Sequence, residues 1–149
     1  MKIAVGTDHG GFELKEYIIK CLAEKGYDYT DFGIKEVKSV DYPDIAKEVG
    51  QAVARGDFDC GILFCGTGIG MAMAANKVKG IRAAVCHDPF STERSRKSND
   101  AQIMCMGARV IGPELAKMLV KLWLTCDFAG GGSAPKVEAI KQMEEKYFK

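Results

Sequence analysis

An open, five-stranded parallel β-sheet with helices on both faces is the fold this sequence predicts. Two observations carry that prediction. Strand-like and helix-like patterns alternate along the chain, the order that a parallel α/β sheet requires. The run "CGILF", residues 60–64, is apolar at every position, as a central strand buried on both faces should be. With 149 residues, 47% hydrophobic and 28% charged, the chain has the size and mix of one domain with a substantial core, read as residues 1–149.

Each element has its own signal. "KIAVGT" (2–7) is a short β-branched run ending at Asp8-His9-Gly10-Gly11. Leu14, Tyr17, Ile18, Cys21 and Leu22 follow the spacing of an amphipathic helix, closed by Gly26. "YDYTDF" (27–32) reads as a strand with one polar face. Pro43 and Asp44 open a helix carrying Ile45, Val49 and Val53, and Gly56 ends it. After the 60–64 strand, a glycine-rich turn leads into a helix. "IRAAVC" (81–86) and "AQIMCMG" (101–107) resemble the central strand, and the Asp-Pro of "DPFSTERSRKSN" between them opens another helix. Leu115, Met118, Leu119, Leu122 and Trp123 repeat the amphipathic spacing after Gly112-Pro113. "AGGGSAP" (129–135) breaks the chain before a last helix with Val137, Ile140 and Tyr147, which lies beyond the fifth strand and is free to pack against another subunit.

Composition narrows the function. A formal net charge of +1 leaves no electrostatic footprint for nucleic acid or an anionic membrane. The basic cluster "ERSRKS" (93–98) is expected to be a solvated helix face. No segment approaches the ~18 uninterrupted apolar residues of a membrane span. Six cysteines form no CxxC pair and the chain has two histidines, so a zinc cluster is not expected. Free thiols behind an N-terminus that does not read as a signal peptide point to the reducing cytoplasm.

In parallel sheets ligands bind beyond the carboxyl ends of the strands, where strand order reverses. If strands one and three flank that point, "DHGG" (8–11) and "CGTGIG" (65–70) face each other across a crevice. Gly66, Gly68 and Gly70 let the backbone approach a ligand with its N–H groups exposed. The helix that follows adds unpaired N–H groups and the positive end of its dipole, so the turn suits a phosphate or an oxyanion formed during reaction. It is not a P-loop, because Met71-Ala72 stand where Lys-Ser/Thr would. It follows the third strand rather than the first, unlike a dinucleotide fingerprint, and it lacks the arginine of a cysteine phosphatase loop. Two readings of Cys65 stay open: a small buried residue at a strand end, or a reactive thiol. Cys21, Cys60, Cys105 and Cys126 head no such loop and read as structural. His87, after Cys86 at the end of the fourth strand, reads as a rim residue.

"GTDHGGFELK" (6–15), "DYPDIA" (41–46), "CGTGIGMAMAANK" (65–77), "GIRAAVC" (80–86), "SND" (98–100) and "GARVIGPELA" (107–116) together resemble a type B ribose-5-phosphate isomerase, in the family that includes galactose-6-phosphate isomerase subunits. The resemblance runs from Met1 to about Tyr147. It implies a Rossmann-like three-layer α/β/α sandwich and a homodimer, sometimes a tetramer, with active sites at the subunit interface and the last helix reaching the partner. It further implies interconversion of ribose 5-phosphate and ribulose 5-phosphate through a cis-enediolate, with no metal and no cofactor. Matching the motifs places the base at Cys65, the enediolate cradle at Gly66, Gly68, Ile69 and Gly70, and proton movement between O1 and O2 at Thr67. Asp8 would lie near the sugar ring oxygen, His9 and Arg109 near the phosphate, and Tyr42 and Asn99 along the pocket.

The chain departs from the family pattern at two places. Ser98 stands where many members carry a histidine implicated in ring opening, which leaves Asp8, with Ser98 or a water, as the proton carrier. Of two arginines that often grip the phosphate, the first position is Gly132 and the second Lys136. A serine does not titrate near neutral pH and a lysine lacks the bidentate fork, so the expected enzyme has relaxed specificity. The competing readings are an isomerase of a six-carbon sugar or its 6-phosphate, and a non-catalytic sugar-phosphate-binding module.

Overall fold

Five strands, all parallel, lie in the order β2-β1-β3-β5-β4 in a computed structural model that describes residues 1–34 and 40–148. The strands are β1 (Lys2–Thr7), β2 (Asp28–Asp31), β3 (Cys60–Cys65), β4 (Ala83–Val85) and β5 (Ile103–Gly107). The helices are α1 (Phe12–Glu24), α2 (Tyr42–Ala54), α3 (Ile69–Ala75), α4 (Pro89–Lys97), α5 (Pro113–Leu124) and α6 (Ala134–Tyr147). Short 3₁₀ turns at His9–Gly11 and Gly131–Ser133 lead into α1 and α6.

Alternation along the strands sorts the core into two layers. Ile3, Val5, Ile62, Phe64, Met104 and Met106 face α1 and α5, where they meet Leu14, Ile18, Leu119 and Trp123. Ala4, Leu63, Cys65, Ile103 and Cys105 face α2 and α3, against Ala46, Val49, Met71 and Ala75. Fully burying one such side chain contributes about 1.5–3 kcal/mol, so the two layers hold the sheet firmly between them. Register then sets the site. Thr7 pairs with Phe64 and Cys65 with Gly107, so β1, β3 and β5 end at one level and their next residues leave the sheet side by side.

Four expectations are corrected. The strand expected at 81–86 is only Ala83–Val85, and its residues are half-buried because β4 is the sheet edge and, among the described residues, pairs only with β5. The strands expected at 27–32 and 101–107 shorten to Asp28–Asp31 and Ile103–Gly107. The basic stretch 93–98 is not a fully solvated face. Ser95 is buried and accepts a hydrogen bond from Trp123 Nε1 (3.1 Å), and Arg96 lies over the Trp123 ring while donating to the Ala101 carbonyl (2.7 Å).

Candidate active site

The reversal of strand order falls between β1 and β3, and the two loops that leave them converge there. Asp8, 7% exposed, caps the turn after β1 by accepting from the Gly10 N–H through Oδ1 (2.9 Å). Thr7 Oγ1 donates across to the Phe64 carbonyl (3.1 Å), tying this turn to the end of β3. Gly10 lies so close to the neighbouring loop that a Cβ on it would stand 3.1 Å from the Gly66 nitrogen. His9 is exposed on the outer side of the same turn.

Cys65 is the last residue of β3 and is 5% exposed. Its Sγ accepts a hydrogen bond from the Gly68 N–H (3.0 Å). That bond needs the chain to double back at once, and it does so because Gly68 takes φ +77°, a conformation costly for any residue with a side chain. The Gly68 N–H is therefore directed at sulfur and is not a free donor for a substrate oxygen, which narrows the expected 66–70 cradle. Ile69 N–H donates to Thr67 Oγ1 (3.3 Å), while Thr67 itself is exposed. Cys65 thus packs in the α2–α3 layer and still receives a backbone donor at its sulfur. Among the other buried thiols, burial raises Cys60 to about 12 and pushes Cys86 and Cys105 up. Those suit a structural role.

Three more of the expected residues reach this end of the sheet. The Tyr42 ring covers Gly70, where a Cβ would come within 2.7 Å of its Cζ. Arg109 rides over Gly66, with its Cδ 3.4 Å from where a Gly66 Cβ would be. Its backbone is pinned there, Ala108 N–H donating to the Cys65 carbonyl (2.9 Å) and Arg109 N–H to the Gly66 carbonyl (3.0 Å). Gly107 presses on the Thr67 backbone so closely that a Cβ would clash at 2.6 Å.

Ser98, Asn99, Gly132 and Lys136 are elsewhere. Ser98 caps the end of α4 and accepts from Arg94 Nη1 (3.4 Å), and the Asn99 carbonyl accepts from Arg82 Nε (3.1 Å). Both residues precede β5, whose Ile103 pairs with Gly61 and Ala83, so they lie at the amino ends of the strands. The Ala129 N–H donates to the Lys97 carbonyl (3.0 Å) and Glu144 accepts from the Gly80 N–H, which fixes Gly132 and Lys136 on that same side. A six-residue strand spans roughly 16 Å, so these groups cannot meet the Cys65 of their own chain. A groove of about 240 Å³ between α1 and α5, lined by Cys21, Leu22, Tyr27, Val120 and Leu124 with lysines around it, is also remote from the converging loops.

The sequence assigned no task to His87, yet its Nε2 accepts a hydrogen bond from the Gly107 N–H (2.8 Å). Its position directly after the expected 81–86 strand, on the rim where ligands bind, was the available signal. Lys15 was missed too. Fully buried, it joins Asp31 (2.7 Å) to the Ile34 carbonyl (3.0 Å) beneath the β1 turn.

Comparison with known proteins places this arrangement. A family profile described as Ribose/Galactose Isomerase matches residues 3–140. The chain is 55% identical over 146 residues to "Ribose-5-P isomerase B" of Listeria innocua, covering 98% of this chain and 99% of that protein. It is 50% identical to "D-erythrulose-4-phosphate isomerase" of Pectobacterium atrosepticum, covering 98% and 97%. The solved structure of Clostridium thermocellum ribose-5-phosphate isomerase B superposes with a TM-score of 0.97 at 48% identity, over 99% of each chain.

Proposed function

The chain belongs to the ribose/galactose isomerase family and is an isomerase, and we propose that it interconverts ribose 5-phosphate and ribulose 5-phosphate with Cys65 as the general base. The observation that carries this reading is the Cys65 sulfur, held by the Gly68 N–H at the floor of two converging loops. The base must remove the proton on C2 and return it to C1 while charge on O1 and O2 is stabilised. Cys65 Sγ takes and returns that proton. The amides of Gly66, Thr67 and Gly70 lie on the loop where the enediolate oxygens would sit, with Thr67 Oγ1 carrying a proton between them. Asp8 and Tyr42 line the sugar, and His9 and Arg109 meet the phosphate.

Ser98, Asn99 and Lys136 enter this reading through a second copy. The carboxyl-end half-site of one chain is completed by the amino-end residues of its partner, giving a homodimer with shared sites. The surface supports it. Tyr42, Ile69, Met73, Phe90 and Val110 are exposed around the crevice, and Ile140, Met143 and Tyr147 form an uncovered apolar row on α6.

A second reading is favoured by Ser98 in place of a titrating residue. An aldotetrose 4-phosphate has its O4 esterified and cannot close a five-membered ring, so its isomerisation needs no ring opening. The relative named D-erythrulose-4-phosphate isomerase fits that chemistry. The test is one panel of kcat/KM values, without added metal, for ribose 5-phosphate, D-erythrulose 4-phosphate, allose 6-phosphate and allose. Highest values for ribose 5-phosphate sustain the proposal. Highest values for the tetrulose phosphate transfer it to the second reading, and no turnover of any of them refutes both.

A further inference from the structure

We propose that His87 is a positioning residue for the isomerase reaction: its neutral imidazole holds the Gly107 amide and so fixes the turn that carries Arg109 and supports Thr67. This rests on the isomerase reading of the Cys65 loop and goes beyond it, since His87 follows a different strand and bonds to the Gly107 backbone rather than to the loop itself.

The need for such a residue comes from the sheet. β4 is the edge strand, and its ladder with β5 ends at Val85 paired with Cys105, plus one bond from the Cys86 N–H to the Cys105 carbonyl (2.9 Å). Gly107 is two residues further along β5, past the last carbonyl that β4 can offer. On its other side β5 continues to bond β3 through Ala108 N–H and the Cys65 carbonyl. The Gly107 N–H, pointing to the β4 side, would be left without a partner, and backbone donors are rarely left so. His87 Nε2 takes the place of the missing strand carbonyl at 2.8 Å, a good hydrogen-bond length.

Holding Gly107 matters because it is the pivot of the site. With no side chain, it lies flat on the Thr67 backbone. Its carbonyl accepts from both the Val110 and Ile111 N–H groups (3.0 and 3.1 Å), closing the turn on which Arg109 stands. A shift of Gly107 therefore moves Thr67 and Arg109 together. To accept at Nε2 the ring must be neutral with its proton on Nδ1. Partial burial lowers the His87 pKa, opposed by attraction to Asp88, and so keeps the ring neutral at pH 7. The Asp88 carboxylate is itself engaged as the cap of α4, accepting from the Ser91 N–H (2.7 Å).

Two measurements test this role. The chain has two histidines, so the ¹⁵N imidazole resonances of His87 are readily separated from those of His9. At pH 7 the wild-type protein should show His87 with a protonated Nδ1 and a hydrogen-bonded, unprotonated Nε2; the opposite tautomer, or a charged ring, overturns the proposal. In turnover, His87→Ala should lose about tenfold or more in kcat/KM for ribose 5-phosphate while remaining folded by circular dichroism. His87→Gln, whose Oε1 reaches the same place, should recover to within about threefold of wild type. An alanine variant as active as wild type, or a glutamine variant as impaired as the alanine one, also overturns it. If alanine fails to fold, the tautomer and the activity of the glutamine variant decide the matter. Failure of wild type to turn over ribose 5-phosphate would instead strike the substrate reading, and the tautomer would still judge His87.

Discussion

Asp8 spends one carboxylate oxygen on its own turn, and that sets what it can do in a reaction. With Oδ1 accepting from Gly10, Oδ2 is the oxygen left to face a sugar ring. If Asp8 carries the ring-opening proton in place of a histidine, Asp8→Asn keeps the cap and removes the proton carrier. It should slow turnover of cyclic ribose 5-phosphate roughly tenfold or more beyond its effect on open-chain ribulose 5-phosphate, read as kcat in each direction. Equal slowing would remove Asp8 from that role. At the other end of the molecule, a Cβ on Gly132 meets no atom within 4 Å, and its φ lies outside the left-handed range that Gly130 and Gly131 occupy. An arginine there is thus tolerated. Charge-assisted hydrogen bonds are worth roughly 1.5–3 kcal/mol, so Gly132→Arg should lower KM for ribose 5-phosphate about tenfold and leave turnover of allose little changed. A KM that does not move would mean Gly132 is not at the phosphate.

The elements were legible where one period ran long enough. The amphipathic spacing from Leu14 to Leu22 and from Leu115 to Trp123 became α1 and α5, and the all-apolar 60–64 run became the middle strand, because burial on one or two faces leaves a plain trace in residue order. β4 was read too long, since an edge position is decided by what lies beside a strand and not by its own residues. The solvated reading of 93–98 failed because Trp123, distant in sequence, supplies the surface that Ser95 and Arg96 cover. The two loops of the site were legible as glycine patterns, but the Gly68 bond to sulfur and the Gly107 bond to His87 depend on backbone directions that no spacing encodes. Lys15 belongs to the same class. Burial works against its ammonium, yet hydrogen bonds and attraction from Asp31 and Glu16 outweigh that, and its pKa is raised above 10.5. The stability it contributes is thus complete below its unfolded pKa and is lost as pH rises through the higher folded value. Lys15→Met strands the partly buried Asp31 and should cost about 3 kcal/mol in urea unfolding at pH 7. The gap between the two proteins should shrink only above about pH 10.5. A loss under about 1 kcal/mol would show the pair to be worth no more than a surface bridge.

Across the sheet as a whole, the expected site residues fall into two groups at opposite ends. Asp8, His9, Tyr42, Cys65 to Gly70 and Arg109 share the carboxyl ends; Ser98, Asn99 and Lys136 share the amino ends. A dimer that joins one group to the other predicts complementation. Cys65→Ala and Lys136→Glu, each nearly inactive alone, should regain about a quarter of wild-type activity when co-expressed, because half the dimers are mixed and each has one intact site. No recovery would mean that each site is built from a single chain. The proposed base at these sites is Cys65, and the experiment for that is isomerisation of ribose 5-phosphate in D₂O, followed by NMR for wild type and Cys65→Ala. Wild type should form ribulose 5-phosphate carrying deuterium at C1 in proportion to how far the proton taken by the Cys65 thiol exchanges with solvent before it is returned, and Cys65→Ala should lose on the order of 10²–10⁴-fold in both turnover and deuterium uptake while still folding and binding the sugar phosphate. A Cys65→Ala protein that keeps more than about a tenth of wild-type kcat would contradict the assignment, because a base in direct contact with the transferred proton cannot be so dispensable.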